Sequence, residues 1–300
     1  MSLFIDQKSV NQFLTSIDGI EINLKREDLL HPTVSGNKFR KLKYNLRQAK
    51  AKGYHTLLTF GGPFSNHLAA TAAAAKIEGL KSIGIVRGEE ARKLNPTLQF
   101  CKDQGMTLHS ISRLDYRLKS QAQLIDQLQH QFGNFYLIPE GGSNALAVKG
   151  CKEILTEDDS HFDLIACSVG TGGTLAGLID SALPHQKVVG FSALRNQTLE
   201  TEIKKWTANQ NWSLNHDYTF GGYAKVSIPL IEFINTFNKN FKTPLDPVYT
   251  GKLLFGIFDL IKNRQWHSDK KILIIHTGGL QGIEGMNQKL TQKKWPKIIV

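Results

Sequence analysis

Short apolar runs alternate with helical patterns along almost the whole chain, and this alternation limits the possible folds more than any other feature. The runs predict strands at 21–25, 56–60, 82–86, 107–110, 135–138, 164–168, 188–191 and 271–276. Between them, helical spacing is found at 67–78, 115–131, 144–155, 174–183 and 229–238. Strands that alternate with helices form parallel sheets covered by helices on both faces. The sequence therefore predicts an α/β fold with mostly parallel, twisted sheets.

Size and composition are those of an ordinary globular protein. The chain has 300 residues, 41% hydrophobic and 21% charged, enough for one large domain or two. No apolar run approaches the length of a membrane span, and the first residues lack a signal-peptide pattern. Cys101, Cys151 and Cys167 are widely spaced, which favours reduced thiols. We expect a cytoplasmic protein with no membrane segment.

The net charge of +11 raises the question of a nucleic-acid partner. Basic residues cluster at Lys38, Arg40, Lys41, Lys43, Arg47, Lys50 and Lys52. No nucleic-acid motif accompanies them, and aromatic residues are not interleaved in a stacking pattern. A positive field would also suit a cofactor phosphate and a substrate carboxylate. We expect no nucleic-acid partner, with much of the excess charge on solvated surface.

Lys38 lies at the start of a predicted helix that Gly53 closes. A helix N-terminus disfavours the ammonium form, and a neutral lysine amine can form a Schiff base with a carbonyl cofactor. The alternative is that Lys38 is one of several basic residues on a solvated helix face.

The segment Gly170-Thr171-Gly172-Gly173-Thr174 follows the strand predicted at 164–168 and precedes a helix. Glycines let main-chain amides approach an anion, and the helix N-terminus adds a favourable dipole. The segment lacks the ending of a nucleotide-binding P-loop and the third glycine of a dinucleotide fingerprint. It is a phosphate-binding turn or an ordinary strand-to-helix turn.

Other polar residues allow two interpretations. Ser65 and Asn66 precede the helix that starts at His67, a position that suits an anion but also simple turn and cap residues. Tyr223 and Tyr249 are either reactive groups or core aromatics with satisfied hydroxyls.

A serine hydrolase is a distant alternative. Ser168, Asp246 and His276 occur in the chain order of α/β-hydrolase triads. However, Ala166 replaces the first glycine of the nucleophile elbow, and Thr171, Gly172 and Gly173 separate the elbow from the helix. Metal catalysis has no motif in its favour.

These segments occur in an order that resembles a known family. Together with Asp246–Lys252 and Ile274–Gly279, they are similar to pyridoxal-phosphate (PLP) enzymes of the tryptophan-synthase-β type. More narrowly, they resemble the family of 1-aminocyclopropane-1-carboxylate deaminase and D-cysteine desulfhydrase, over about 25–282. The resemblance implies a smaller domain, 41–145, inserted into a larger cofactor-binding domain, 1–40 and 146–300. PLP would lie in the cleft between them, and the family habit is a homodimer.

The resemblance also implies a role for each candidate residue. Lys38 would hold PLP, Asn66 would bond its phenolic oxygen, and Thr277 would contact its ring nitrogen. The phosphate would bind Lys41 and the segment from Gly170 to Thr174. Ser65 would face the carboxylate of a small amino acid, beside Asn66 and His67, while Tyr223 and Tyr249 would exchange protons.

Two hydroxyls favour one branch of the family. Thr250 stands where true cyclopropane deaminases carry glutamate, and Thr277 replaces a carboxylate that would keep the ring nitrogen protonated. A neutral nitrogen suits β-elimination, so D-cysteine is the predicted substrate, with aminocyclopropane carboxylate or D-serine as alternatives. Phe64, Ala69 and Ala70 depart from characterised members, and we therefore expect a different substrate pocket.

Overall fold

A computed structural model describes residues 3–4, 8–88, 94–266 and 270–300. Its strands, in chain order, are β1 (Asn11–Ile17), β2 (Ile20–Lys25), β3 (Thr56–Gly61), β4 (Lys81–Arg87), β5 (Met106–Ile111), β6 (Tyr136–Ile138), β7 (Leu164–Val169), β8 (Lys187–Ser192), β9 (Trp212–Asn215) and β10 (Lys271–Ile275).

The α-helices alternate with these strands. They are α1 (Asn37–Ala51), α2 (Asn66–Ile77), α3 (Pro96–Asp103), α4 (Arg113–Tyr116), α5 (Ala122–Phe132), α6 (Ala145–Cys151), α7 (Gly173–Ser181), α8 (Leu199–Lys204), α9 (Ile228–Phe241), α10 (Thr250–Lys262) and α11 (Gly282–Gln292).

The strands form two sheets. The larger has six strands in the order β1-β2-β10-β7-β8-β9, and the smaller has four in the order β5-β4-β3-β6. Only the β1–β2 pair is antiparallel within the described residues; the other pairs are parallel. The predicted α/β class is confirmed. The domain bounds at 41 and 145 stay a prediction, although the smaller sheet is built from residues between them.

The central strands read as continuous apolar runs because both faces of the larger sheet are covered. On β10, Ile272 and Ile274 pack into one core cluster with residues of α9, α10 and α11. Leu273 and Ile275 point to the opposite face, where they join a second cluster that contains residues of α7. The sheet is therefore a middle layer with helices on both sides.

The sequence predictions failed at the sheet edges and in short helices. Strands β1 and β9 and helices α3, α8 and α11 were not predicted, and the helix predicted at 115–131 is divided into α4 and α5. In β1 only Leu14 is fully buried, because an edge strand lacks a two-sided apolar environment. The division after α4 lets Tyr116 turn into the core against Phe60.

The basic cluster on α1 is divided between a buried and an exposed part, and Arg47, Lys50 and Lys52 are exposed. Arg40 forms an ion pair with Glu27 at 2.8 Å, and Lys43 forms one with Glu153 at 2.8 Å. Arg40, Lys41 and Lys43 are all buried. Carboxylates distant in the sequence come to meet Arg40 and Lys43, whereas Lys41 contacts Gly141 and Ser143.

Helix α1 begins at the carboxyl ends of the strands of the larger sheet, beside the end of β10. Gly36 precedes it at φ +63°, and a Cβ there would lie 2.1 Å from the main-chain oxygen of Thr277. A side chain at this position is thus excluded both by conformation and by space. This contact places the start of α1 beside the end of β10.

Two further expectations concern thiols and membranes. All three cysteines are free and buried. In the part of the chain that is described, no helix combines the length and apolar character needed to cross a bilayer.

Candidate active site

A cavity of about 570 Å³ lies where the two sheets face each other. The predicted site residues that line it are Lys38, Lys41, Ser65, Asn66, His67, Gly170, Thr171, Gly172, Thr174, Tyr223, Tyr249 and Thr277. Gly173 is buried directly behind the wall. The fold therefore brings together residues from both ends of the chain and from both sheets.

Lys38 reaches the cavity from the first turn of α1. Its Nζ donates a hydrogen bond to Oδ1 of Asn37 at 2.9 Å, and Nδ2 of Asn37 donates to Oγ1 of Thr174 at 2.9 Å. Loss of water around the ammonium, with a further contribution from the charge of Lys41, lowers the pKa of Lys38 to about 7. Near neutral pH, the amine is thus available as a nucleophile or base.

A second lysine lies beside the glycine-rich turn. Nζ of Lys41 donates to the main-chain oxygen of Gly141 at 3.1 Å and to Oγ of Ser143 at 3.0 Å. A Cβ on Gly173 would lie 3.4 Å from this Nζ and 2.9 Å from Oγ of Ser143. Because α7 begins at Gly173, a cation and a helix N-terminus meet at one small concave surface. These are the elements of a phosphate site.

Ser65 and Asn66 stand at the start of α2. Oγ of Ser65 accepts a hydrogen bond from the main-chain N–H of Leu68 and caps the helix. Its hydroxyl proton remains available for an acceptor in the cavity. Oδ1 of Asn66 accepts a hydrogen bond from Gln281, which ties α2 to the segment before α11. The cap interpretation is correct for Ser65, and it leaves the predicted carboxylate contact open.

His67 is held in one tautomer. The hydroxyl of Thr59 donates to the main-chain oxygen of Ile138, so it must accept from Nε2–H of His67 at 2.8 Å. Nδ1 is then an acceptor, buried and without a hydrogen-bond partner among the described residues. Burial, together with the charges of Lys38 and Lys41, lowers the pKa of His67 well below its usual value. The ring is therefore neutral at physiological pH.

The two tyrosines form a pair. Their ring centroids are 6.3 Å apart, with the two rings packed edge to face. Burial, followed by the influence of Tyr223, raises the pKa of Tyr249 well above its ordinary value. Asp246 accepts hydrogen bonds from the main-chain N–H groups of Val248 and Tyr249 at 2.8 and 2.9 Å. This carboxylate holds the turn that presents Tyr249.

Thr277 does not face a carboxylate. Its Oγ1 lies 3.1 Å from Oγ of Ser168, and both side chains are buried. Two hydroxyls, one from the end of β7 and one after β10, thus meet on the same wall.

The same contacts argue against a hydrolase triad. Ser168 bonds Thr277 and not His276. His276 uses both ring nitrogens on the main chain, at the Pro244 oxygen and the Gly278 N–H. The carboxylate of Asp246 is occupied by the turn before α10. The three residues are not joined as a relay, and the hydrolase alternative is wrong.

Sequence reasoning missed several residues of the cavity wall, among them Arg87, Glu140 and Ser143. Arg87 ends β4, and its guanidinium lies 5.7 Å from the ring centroid of Tyr116. The available signal was its position at the carboxyl end of a parallel strand, where such sheets bind ligands.

The residues used to predict a different substrate pocket lie elsewhere. Ala69 and Ala70 are 2% and 3% exposed and belong to the core around α2. Phe64 lines an adjoining cavity of about 470 Å³, where Nζ of Lys289 lies 3.9 Å from its ring centroid. Ala69 and Ala70 line neither cavity, and the different substrate pocket stays a prediction.

The model of the pyridoxal-phosphate-dependent enzyme family matches residues 12–278. This match covers every predicted site residue. The chain belongs to this family.

Individual relatives narrow the assignment. The chain is 32% identical to a Pyrococcus horikoshii protein provisionally named a 1-aminocyclopropane-1-carboxylate deaminase, over 93% of this chain and 91% of that one. It is 32% identical to the mitochondrial bifunctional D-cysteine desulfhydrase/1-aminocyclopropane-1-carboxylate deaminase of Arabidopsis thaliana, covering 89% and 74%. A solved deaminase homologue superimposes with a TM-score of 0.84 at 30% identity, covering 96% and 94%. This PLP-dependent enzyme therefore belongs to the family of 1-aminocyclopropane-1-carboxylate deaminase and D-cysteine desulfhydrase, as the resemblance implied.

The cavity suits the cofactor that this family uses. An amine of lowered pKa stands in the cavity, and the small surface at Gly173 offers Lys41 and a helix N-terminus to a phosphate. The donor set thus matches both the aldehyde and the phosphate of PLP. The individual contacts of Asn66, Thr277 and the glycine turn with PLP stay predictions.

Cofactor capture should depend on pH in a way that reports the pKa of Lys38. Only the neutral amine attacks an aldehyde, and the pKa is lowered from 10.5 to about 7. The capture rate of the cofactor-free protein should then rise roughly tenfold between pH 6 and pH 8 and level off. Stopped-flow absorbance would measure it. An unperturbed lysine would instead give a rate that continues to rise to about pH 10.

Proposed function

We propose that this enzyme catalyses β-elimination on a small amino acid, converting D-cysteine to pyruvate, sulfide and ammonia. The observation that carries the proposal is the hydroxyl pair of Thr277 and Ser168 at 3.1 Å. A hydroxyl at this position leaves a pyridine nitrogen neutral, whereas a carboxylate would keep it protonated. A weaker electron sink suits a reaction in which the leaving group carries the electrons away.

Thr250 supports the same branch. It is fully buried, and its Oγ1 donates to Oδ1 of Asp246 at 2.8 Å. The side chain is thus committed to the turn before α10 and brings no acid to the cavity. Ring opening of a cyclopropane would lack the glutamate that true cyclopropane deaminases carry at this position.

Lys38 is the proposed base for the α-proton. Bound PLP supplies an electron sink for the resulting negative charge. The pKa of about 7 lets Lys38 accept a proton near neutral pH. Tyr249, whose pKa is raised, stays protonated and is suited to donate a proton to the departing sulfur. Tyr223 packs against Tyr249 and is partly exposed, so it would relay protons from solvent.

The substrate carboxylate has a site on the smaller-sheet side of the cavity. Ser65 offers a hydroxyl at the N-terminus of α2, where the helix dipole favours an anion. Arg87 lines the same cavity and adds a positive charge. We propose that these two residues orient the amino acid so that its α-proton faces Lys38.

Product analysis tests the proposal. With purified holoenzyme, D-cysteine should release sulfide and pyruvate much faster than L-cysteine does, and faster than aminocyclopropane carboxylate yields 2-oxobutyrate. D-serine, which has a poorer leaving group, serves as the comparison for the β-substituent. Dominant formation of 2-oxobutyrate would overturn the choice of branch and leave the PLP chemistry intact.

Cyclopropane deamination is the second candidate, because the Pyrococcus horikoshii relative carries that name and the Arabidopsis relative carries both names. We also retain a cytoplasmic location and a homodimeric assembly as proposals. Size-exclusion chromatography with light scattering would measure the assembly.

A further inference from the structure

Lys252 is a buried charge that the proposed chemistry does not use. It lies in the first turn of α10, three residues after Tyr249, and is 2% exposed. Its Nζ donates to the main-chain oxygens of Thr219 at 2.8 Å, Gly222 at 2.8 Å and Ala193 at 3.2 Å. An ammonium has three N–H donors, so all of its donors are used on the backbone.

The contrast with Lys25 shows how unusual this arrangement is. Lys25 is equally buried, but its Nζ lies 2.7 Å from the carboxylate of Asp159. Within the described residues, no hydrogen-bond partner of Lys252 is a carboxylate. Burying an ammonium that no carboxylate contacts is costly, and the charge of Asp246 acts in the opposite direction by favouring the ammonium form. Burial lowers the pKa of Lys252 to about 8, which leaves it mostly charged at neutral pH.

The ammonium of Lys252 organises the loop that carries Tyr223. Two of the three carbonyls, those of Thr219 and Gly222, belong to the four residues that precede Tyr223. The backbone there is held in left-handed conformations at Phe220 (φ +53°) and Ala224 (φ +54°), which non-glycine residues adopt rarely. Such a loop needs external contacts to keep one conformation. Lys252 supplies them from the helix that also presents Tyr249.

We infer that Lys252 is a positioning residue, an internal cation that gathers three carbonyls and thereby sets Tyr223 against Tyr249. Its role is to hold the loop and not to react. The inference rests on the proposed function only in so far as Tyr223 handles protons. The ordering of the loop itself is independent of the substrate.

Two variants separate positioning from packing. Lys252→Ala removes the ammonium and leaves a space ringed by carbonyl oxygens, whereas Lys252→Met fills that space with an apolar chain. We expect turnover of D-cysteine to fall about 100-fold in both, as for a small displacement of a catalytic group, with KM almost unchanged. Amide hydrogen exchange in 219–225 should accelerate in both, while cofactor absorbance is retained.

Chemical rescue gives the decisive readout. Ammonium ions, added at constant ionic strength, should restore pyruvate formation and slow exchange in Lys252→Ala but not in Lys252→Met. Tetramethylammonium, which is too large and has no N–H donor, is the matched control and should do nothing. Combining Lys252→Ala with Tyr223→Phe should cost no more than Tyr223→Phe alone.

Several results would overturn the inference. These are unchanged turnover in Lys252→Ala, rescue by tetramethylammonium as effective as by ammonium, no rescue at all, or failure of both variants to fold with and without ammonium. If wild type were inactive on every amino acid tested, the proposed function would fail. The exchange measurement would still decide whether Lys252 orders the loop.

Discussion

Replacing Lys38 with alanine should abolish turnover, lowering the rate by at least about 1,000-fold, because it removes both the nucleophile and the proposed base. Lys38 is the amine whose pKa burial lowers to about 7 in the cavity. The variant should still fold. Among the described residues, the one hydrogen bond given for Nζ of wild-type Lys38 goes to the side chain of its neighbour Asn37. Turnover would be measured as pyruvate and sulfide release.

Lys52→Ala is the matched control, because Lys52 is exposed at the far end of the same helix. This variant should behave as wild type. Borohydride reduction followed by peptide mass analysis should place the cofactor on Lys38 in wild type and in the control. The assignment would be wrong if the Lys38 variant kept more than about a tenth of the activity, given the size of such catalytic contributions.

The largest effect on stability should come from Asp159→Ala. Asp159 is 1% exposed, and its carboxylate meets Nζ of Lys25 at 2.7 Å and accepts from Nδ2 of Asn11 at 2.7 Å. Without it, the Lys25 ammonium is left buried and unpaired. The free energy of unfolding should drop by about 3–5 kcal/mol, measured by urea denaturation at a fixed PLP concentration.

The adjacent residue provides the control. Asp158 lies 3.9 Å from Lys8 in a pair whose side chains are 73% and 79% exposed. Asp158→Ala should therefore cost less than about 1 kcal/mol. If both variants lost the same free energy of unfolding, burial would not determine how much each ion pair contributes to stability.

Site residues could be predicted where a residue type capable of reaction or binding stands at a recognisable local structure, such as the start of a helix. Lys38 follows a turn and opens a helix, and the glycines from Gly170 follow a strand and precede α7. Both patterns are local, so the sequence is enough to find them. Arg87 was missed although it directly follows the strand predicted at 82–86, because that position becomes a signal only when the strand is placed in a parallel sheet.

Burial was the quantity that local patterns misjudged. Ala69 and Ala70 were expected in the substrate pocket, yet α2 is covered on all sides and both lie in the core. The sequence listed Arg40 and Lys43 only as members of a basic cluster, yet both are buried against Glu27 and Glu153. Helical periodicity shows which residues share a face but not what covers that face.

By itself, the sequence determined the α/β class, the family and the groups capable of reacting, because these depend on short apolar runs and on residue types at fixed local spacing. The tertiary structure decided how those groups behave. The pKa of Lys38, the tautomer of His67, the hydroxyl partner of Thr277 and the carbonyls around Lys252 all depend on residues distant in the chain. Hydrogen bonding and dehydration act through space, and only the folded chain brings these groups within reach.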